Sequence, residues 1–195
     1  PFLARAHQRV PPAPGAIPAE GPSGVALANR PAANFNAGSG LLVAEHFQMA
    51  YVTNDMDRAK DLFQRQLGVR EFTALKGEMP SGGQMHAEFA WVGTMMYELI
   101  CASGPGSAHF MDRLPAGDDF AIRHHHLGYL IHNQQQWDAV LANAAAQGFA
   151  VVNHNVNPLV EVCFVDAPHL GHYLEYLYAT DLGMQFFESV PRTTP

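Results

Sequence analysis

Four polar residues of metal-binding type recur at matching positions in two halves of the sequence. Gln48 and Glu98 stand 50 positions apart, and His126 and Glu175 stand 49 positions apart. Imidazole, carboxylate and amide side chains form a mixed nitrogen and oxygen ligand set, which suits Zn, Ni, Co, Mn or Fe(II). Carboxylates beside such a site can also take up and return a proton, as general acid–base catalysis requires. These four residues are the candidate site.

The matching spacing belongs to an internal repeat. Gln48 lies seven residues before Asp55, and His126 lies seven residues before Asn133. Asp and Asn are favoured N-cap residues, and each one precedes an amphipathic helical pattern that ends at a glycine. Because repeated segments fold alike, we expect two similar modules related by a pseudo-two-fold axis.

The apolar pattern of each half predicts the element order β-α-β-β-β. The helix of the first half extends from Asp55 to Gly68, and its strands are predicted at residues 47–53, 69–75, 85–92 and 95–101. The helix of the second half extends from Asn133 to Gly148, and its strands are predicted at residues 125–132, 149–155, 160–165 and 173–179. The predicted fold class is α+β, with two βαβββ modules that form a curved mixed sheet around a central metal cleft.

The domain organisation follows from changes in composition along the chain. Residues 1–40 are rich in Pro, Ala and Gly without an apolar period, which predicts an extended arm with polyproline-like segments. Residues 41–101 and 123–180 are assigned to the two modules, and residues 102–122 to a connector with a short helical piece. Residues 181–195 are predicted to form a C-terminal helix and tail that pack outside the modules.

Strand alternation places the candidate residues on inward faces of the predicted sheet. Glu98 shares a strand face with Met96 and Ile100, and Glu175 shares one with apolar neighbours in the same way. A carboxylate between apolar neighbours is out of place in an ordinary core, because burying an unpaired charge is costly. A divalent cation at the centre of the four polar groups would offset that cost.

Three further histidines lie close to the candidate ligands in the sequence. Alternation places His46 on the same strand face as Gln48, so His46 is an alternative ligand. His124 is a second alternative, either as a ligand or as a residue that supports one, and an exposed surface position is also open. His125 is predicted to point away from His126, because neighbouring strand residues face opposite sides.

The segments that carry these residues resemble one known superfamily. They read QMAYVTNDMDRAKDLFQRQLG, MYELI, HHLGYLIHN and FVDAPHLGHYLEYL. The chain resembles the vicinal oxygen chelate superfamily, which includes glyoxalase I, methylmalonyl-CoA epimerase, extradiol dioxygenases and bleomycin-resistance proteins. The resemblance covers about residues 45–180 and is nearest to the glyoxalase-like branch. It implies one divalent metal ion and the ligand set Gln48, Glu98, His126 and Glu175.

The resemblance also implies a reaction and the roles of individual residues. It implies a lyase or isomerase in which the metal stabilises an enediolate on a small oxygen-bearing substrate. Glu175 would be the general base, and Glu98 its partner on the opposite side. Arg123 and Tyr173 are further candidates for substrate contact. Ile122 stands where glyoxalase I members normally carry an Arg, so a glutathione conjugate is not favoured as the substrate.

Two other functions stay open at this point. If His46 were the ligand instead of Gln48, then His46, His126 and Glu175 would form the two-His-one-carboxylate triad of an Fe(II) extradiol-type dioxygenase. The second alternative is a non-catalytic module that binds a small molecule, as bleomycin-resistance proteins do. Members of that class typically lack the metal ligands, so the complete set of four counts against it.

Composition and charge exclude several classes of function. The net charge of −7 and the absence of a Lys/Arg run argue against a nucleic-acid partner. No stretch approaches the roughly 18 apolar residues of a membrane span. Cys101 and Cys163 are far apart in apolar runs, which indicates buried thiols of a cytoplasmic protein rather than a disulfide framework. By analogy with related modules, a homodimer is expected.

Overall fold

The computed structural model describes residues 40–193, so almost all of the predicted arm lies outside the described residues. The two halves repeat the same element order. The first half contains β1 (Glu45–Thr53), α1 (Met56–Arg65), β2 (Thr73–Glu78), β3 (Gln84–Val92) and β4 (Met95–Ser103). After α2 (Ala108–Met111), the second half contains β5 (Ile122–Ile131), α3 (Gln134–Ala146), β6 (Val151–Val156), β7 (Val160–Ala167) and β8 (His172–Ala179). The chain ends with α4 (Asp181–Ser189) and β9 (Arg192–Thr193).

One continuous sheet joins the two halves. Its strand order is β2-β3-β4-β1-β5-β8-β7-β6, and β9 pairs with β3. The first strands of the two halves, β1 and β5, pair antiparallel at the centre. Each of them pairs in parallel with the last strand of its own half, β4 or β8. The predicted α+β fold with two βαβββ modules in a mixed sheet is confirmed.

The helix boundaries follow the capping residues that the sequence indicates. The side chain of Asp55 accepts a hydrogen bond from the backbone of Arg58, and Asn133 accepts one from the backbone of Gln136. Such caps satisfy backbone N–H groups that have no partner within the helix. Gly68 and Gly148 follow α1 and α3 with φ of 80° and 73°, in the left-handed region that glycine adopts at little cost.

Three apolar clusters hold the sheet and helices together. The helix α1 buries Met56, Ala59 and Phe63 against one face of the first half, and α3 buries Trp137 and Val140 against the same face of the second half. The third cluster lies on the opposite, inner face and includes residues of both halves together with α2 and α4. The inner face therefore belongs to both modules.

Two β-bulges interrupt the central strand pair at equivalent positions. The register of β1 against β5 shifts between His46 and Gln48, so Phe47 is an extra residue. It shifts again between the pairs Ala50–His126 and Tyr51–His124, so His125 is an extra residue on β5. A bulge places two consecutive side chains on one side of a strand. Both bulges immediately precede a candidate ligand.

Two strands begin three or more residues away from their predicted starts. Strand β2 begins at Thr73 rather than at Val69, because Val69 is buried with α1 and its backbone donates to Phe63. Strand β5 begins at Ile122 rather than at His125, because residues 122–124 pair with β1. Residues 122–126 are rich in His and Arg and show no apolar alternation, so the start of β5 is recognised only from its pairing with β1.

The prediction that the C-terminal helix packs outside was wrong. Phe187 of α4 is buried in the inner apolar cluster, and its backbone carbonyl accepts a hydrogen bond from the indole of Trp91. The helix therefore contributes to the inner core of the protein. No helix within residues 40–193 is both long and apolar enough to cross a membrane.

Candidate functional site

The four candidate ligands come from the four central strands of the sheet. Ala50 of β1 lies between Glu98 of β4 and His126 of β5 in the strand register. One row further along, Gly128 of β5 lies between Gln48 of β1 and Glu175 of β8, and this is the equivalent arrangement in the repeat. A small residue therefore separates each pair of polar ones. The small residues leave room for four longer side chains to meet on the inner face.

The polar atoms of this cluster lie within a few ångströms of one another. The Nε2 atom of His126 is 3.0 Å from Oε2 of Glu175 and 3.4 Å from Oε2 of Glu98. The amide of Gln48 donates a hydrogen bond of 3.1 Å to Oε2 of Glu98. All four side chains are buried. The structure thus brings together all four residues that the resemblance implied.

The cluster has the properties of a cation site. Possible ligand atoms of Glu98, His126 and Glu175 all lie within 4.8 Å of one another. Among residues 40–193, the buried Oε1 atom of Gln48 has no hydrogen-bond partner. The Nε2 atom of His126 and the Oε2 atom of Glu175 are 3.0 Å apart but do not meet with hydrogen-bond geometry. Such atoms are rare in native proteins because each costs desolvation free energy. A divalent cation would satisfy these lone pairs together, so the residues present fit one.

Burial and the charges within the cluster together raise the pKa values of His126 and Glu98. Burial alone would lower the pKa of His126, but the adjacent carboxylates of Glu175 and Glu98 outweigh burial and raise it to about 9. Burial raises the pKa of Glu98, the charge of Glu175 acts in the same direction, and His126 only partly opposes both. Without a cation, the site therefore holds protons that a cation would displace.

His125 supports the ring of His126, which contradicts the prediction that it points away. The Nδ1 atoms of the two rings are 2.8 Å apart, and Nε2 of His125 is 3.1 Å from the carbonyl of His109. A carbonyl can only accept, so His125 donates from Nε2. Burial is the largest cause that lowers the pKa of His125 to about 2, so the ring is neutral and its Nδ1 accepts a hydrogen bond from His126. The Nε2 atom of His126 then faces the carboxylates.

The reason for this difference is the bulge in β5. Because His125 is the extra residue, its side chain lies on the same side as that of His126, and both are fully buried. Simple alternation cannot anticipate this arrangement. The run of three histidines was the available signal, since a second polar ring beside a buried ligand often serves to orient it.

His46 and His124, the two alternative ligands, lie away from the cluster. The exposed ring of His46 packs against Tyr129 on the α3 side of the sheet, and the ring of His124 packs against Tyr51 on the α1 side. Each histidine contacts the backbone carbonyl two residues later, at 3.1 Å and 3.0 Å respectively. Because Phe47 is an extra residue in β1, the side chain of His46 lies on the opposite face of the sheet from that of Gln48, and the prediction that they share a face was wrong.

The two further candidates for substrate contact take different positions. Arg123 is exposed, and its guanidinium donates to the carbonyl of Ile122. Tyr173 is partly buried, and Arg113 stacks over its ring at 4.1 Å. Neither side chain belongs to the lining of the cleft described next. Their proposed contact with substrate therefore has no support from this geometry.

A cleft of about 730 Å³ opens over the cluster. Gln48, Glu98 and Glu175 lie in its wall, and the remainder is mainly apolar. The connector that leads into β5 contributes His109, whose pKa is lowered to about 4, first by burial and then by the nearby charge of His126. The Nε2 atom of His109 has no hydrogen-bond partner within the described part of the chain. The wall thus offers a neutral polar group close to the cluster.

Several lining residues were missed by sequence reasoning. The helix α4 contributes Phe186 and Phe187, and β6 contributes Asn153 and Asn155. A helix at the end of the chain carries no local sign that it lines a cleft. The two asparagines did carry a signal, since polar residues at every second position of a strand share one face.

Gly128 is the residue on which the position of Gln48 depends most directly. A Cβ atom built at Gly128 would overlap the side-chain amide of Gln48. We expect Gly128→Ala to lower the affinity for a divalent metal about tenfold and to destabilise the fold by about 1–3 kcal/mol. Metal titration and thermal unfolding measure both effects. Gly77→Ala is the matched control, because a Cβ there meets nothing within 4 Å; equal behaviour of the two variants would contradict the prediction.

The sequence and the fold were compared with known proteins. Residues 47–164 match the profile of the Glyoxalase/Bleomycin resistance protein/Dioxygenase superfamily, whereas no curated protein sequence matches the chain. A methylmalonyl-CoA epimerase in complex with methylmalonyl-CoA and NH4+ aligns with a TM-score of 0.51 at 13% identity, covering 71% of this chain and 96% of that chain. A Streptomyces coelicolor epimerase variant in complex with 2-nitronate-propionyl-CoA also aligns with a TM-score of 0.51 at 13% identity, and the alignment again covers 71% of this chain and 96% of that chain. The Mycobacterium tuberculosis epimerase aligns with a TM-score of 0.48 at 13% identity, covering 73% of this chain and 91% of that chain. At such low identity, the likeness to these structures shows the fold alone.

Proposed function

Because the chain belongs to the Glyoxalase/Bleomycin resistance protein/Dioxygenase superfamily, we propose that it is a divalent-metal-dependent isomerase or lyase. It moves a proton on a small oxygen-bearing substrate through an enediolate. The observation that carries this proposal is the buried cluster of Glu98, His126 and Glu175 beside Gln48, with unsatisfied polar atoms on three of these four residues. Its place in the wall of a cleft gives a substrate access to it.

The proposed ligands of the metal are Gln48, Glu98, His126 and Glu175. When bound, a divalent cation supplies Lewis-acid stabilisation of negative charge that develops on two adjacent substrate oxygens. The ligand set combines one nitrogen with oxygen donors and suits Zn, Ni, Co, Mn or Fe(II). His125 holds the ring of His126 in the orientation that this role needs, through the contact between their Nδ1 atoms.

Glu175 is the proposed general base. It lies in the cleft wall, where a substrate carbon can reach it, and its Oε2 atom is 3.0 Å from Nε2 of His126. Glu98 faces it across the cluster and is oriented by the amide of Gln48. The two carboxyl groups have different neighbours, because Glu98 accepts a hydrogen bond from Gln48 whereas Oε2 of Glu175 faces Nε2 of His126. Two carboxylates in unlike environments can therefore divide the tasks of base and acid.

Metal binding is expected to release about one proton from His126 near neutral pH. The metal-free ring has a pKa raised to about 9, so it is charged at neutral pH, whereas a metal ligand must be neutral. The release should decline as the pH rises through about 9, because the ring has then already lost its proton. Calorimetric titration with Zn²⁺ in buffers of different ionisation enthalpy measures this number. Binding without proton release at neutral pH would argue against His126 as a ligand.

The two alternative functions are supported less well. An extradiol-type dioxygenase with His46 as a ligand would need that residue at the metal, but its ring lies on the other face of the sheet. A non-catalytic binding module would make use of the large apolar cleft. It would not account for the buried contacts of His126 with Glu98 and Glu175, the two carboxyl groups that lie in the wall.

Proton exchange tests the proposed function directly. The metal-loaded protein is incubated in D2O with enolisable compounds, including the α-hydroxy ketone benzoin and the thioester methylmalonyl-CoA, and deuterium incorporation is followed by NMR. We expect incorporation into at least one compound that depends on added metal. Oxygen consumption with a catechol and no exchange would favour the dioxygenase. Tight binding of a compound with neither reaction would favour the binding module.

A further inference from the structure

The charge of the cleft wall restricts the substrate. Among the described residues that line the cleft, Lys76 is the only Lys or Arg, and it lies exposed on β2 with Glu78 two positions away on the same strand. A phosphate or carboxylate on a ligand needs cationic partners to offset its lost hydration. This wall therefore disfavours an anionic conjugate.

The apolar part of the wall extends in one direction from the cluster. Strand register aligns Glu175 of β8 with Phe164 of β7, and Phe164 with Asn153 of β6. In the next row, Leu177 aligns with Val162, and Val162 with Asn155. Each row crosses two strand spacings, about 10 Å in all. An acidic end, an apolar middle and an amide end therefore follow one another across the cleft.

The two amides at the far end are available to a ligand. Asn153 and Asn155 are half-buried cleft-lining residues on β6, and neither side chain makes a hydrogen bond among residues 40–193. By contrast, Asn157 uses its side chain to accept bonds from the backbone of the following turn. An amide offers both a donor and an acceptor without charge, so this end suits a neutral polar group.

The first half of the repeat carries no amide side chains at the equivalent positions, Thr73 and Leu75. Its equivalent row aligns Glu98 with Phe89 and Phe89 with Thr73, and Thr73 does not line the cleft. The row beside it aligns Ile100 with Ala87 and then with the apolar Leu75. The symmetry of the fold is therefore broken at this point, and the asymmetry gives the cleft a direction.

We propose that the substrate is a neutral, mainly apolar molecule with two adjacent oxygens at one end. An uncharged hydrogen-bonding group about 10 Å away contacts Asn153 and Asn155. This proposal rests on the proposed function for the end that carries the oxygens. The amide end is independent of it, because Asn153 and Asn155 take no part in the proposed chemistry.

Binding of matched probes tests the proposal. The probes are benzoin, its para-acetamido derivative, its para-carboxy derivative and methylmalonyl-CoA, each titrated by calorimetry into the metal-loaded full chain. We expect the acetamido probe to bind about fivefold more tightly than benzoin, as one added hydrogen bond would give, and at least about tenfold more tightly than either anionic probe. Tightest binding by an anionic probe, or no binding by a neutral one, would overturn the proposal.

Two variants locate the contact. Asn153→Leu should abolish the preference for the acetamido probe over benzoin while leaving the affinity for benzoin within about twofold. Thr73→Leu, at the equivalent position of the other half, should leave both affinities unchanged. If Asn153→Leu keeps the preference, the amide end is not the contact, and the proposal fails at that point.

The outcome separates this proposal from the proposed function. Neutral probes that bind in the expected order without any deuterium exchange would support the substrate class and reject the isomerase. Deuterium exchange that occurs only with an anionic probe would support the isomerase and reject the neutral substrate class.

Discussion

Replacing Glu175 with Gln is expected to lower turnover by about 100- to 10,000-fold, which is the usual contribution of a positioned general base. The amide keeps the shape of the carboxylate but cannot accept a proton from a substrate carbon. The side chain is buried and its Oε2 atom lies 3.0 Å from His126, so the change also alters the proposed ligand set. Rates of proton exchange at saturating metal, measured beside bound metal, separate the two effects.

The matched control for this experiment is Glu161→Gln. Glu161 lies on β7 and pairs with the exposed His154 at 2.8 Å, away from the cluster. Turnover of this control should stay close to that of the unaltered protein, since exposed ion pairs contribute at most about 1 kcal/mol. Both variants should retain their thermal unfolding transitions. Unchanged turnover in Glu175→Gln would remove Glu175 from the mechanism.

Replacing His126 with Ala is expected to abolish metal binding and to destabilise the metal-free protein by about 3–5 kcal/mol. His126 supplies the only nitrogen donor of the proposed set. Its removal also leaves the buried carboxyl groups of Glu98 and Glu175 without the ring that lies between them. Elemental mass spectrometry of the untagged protein should show roughly one divalent ion per chain before the change and none after it.

A second variant distinguishes the loss of a metal ligand from the loss of folding. His126→Gln keeps a polar side chain beside the carboxyl groups and should fold with smaller destabilisation, yet still lose most of the metal. His132→Ala is the surface control, because His132 pairs with Glu45 at 2.6 Å on the exposed side. Retention of metal in both His126 variants would require another ligand set. The four buried polar residues would then serve a different purpose.

The meeting of these four residues could be predicted because each one follows from a local pattern that occurs twice. Gln48 and His126 stand seven residues before helix caps, and Asp55 and Asn133 form those caps in the structure. Capping and strand alternation depend on residues close in sequence. Glu98 was found in the same way, as a carboxylate in an apolar strand. Such signals can be recognised without knowledge of the tertiary structure.

The failures share one physical cause, which is pairing between distant segments. His46 and His125 were assigned to the wrong faces because a one-residue bulge reverses every later side chain. A bulge depends on the register of β1 against β5, whose paired residues lie about 75 positions apart in the chain. No window of neighbouring residues contains that information. The inward position of α4 has the same origin, because its contacts are with strands of both halves.

The sequence by itself determined the two-module architecture, the helix limits and the four residues that meet at the centre. These features depend on periodicity, on capping chemistry and on the cost of burying charge, which are all local. Only the tertiary structure decided which histidine supports His126, which elements close the cleft and how its wall is charged. Those features arise where segments far apart in the chain come into contact, and packing rather than pattern determines them.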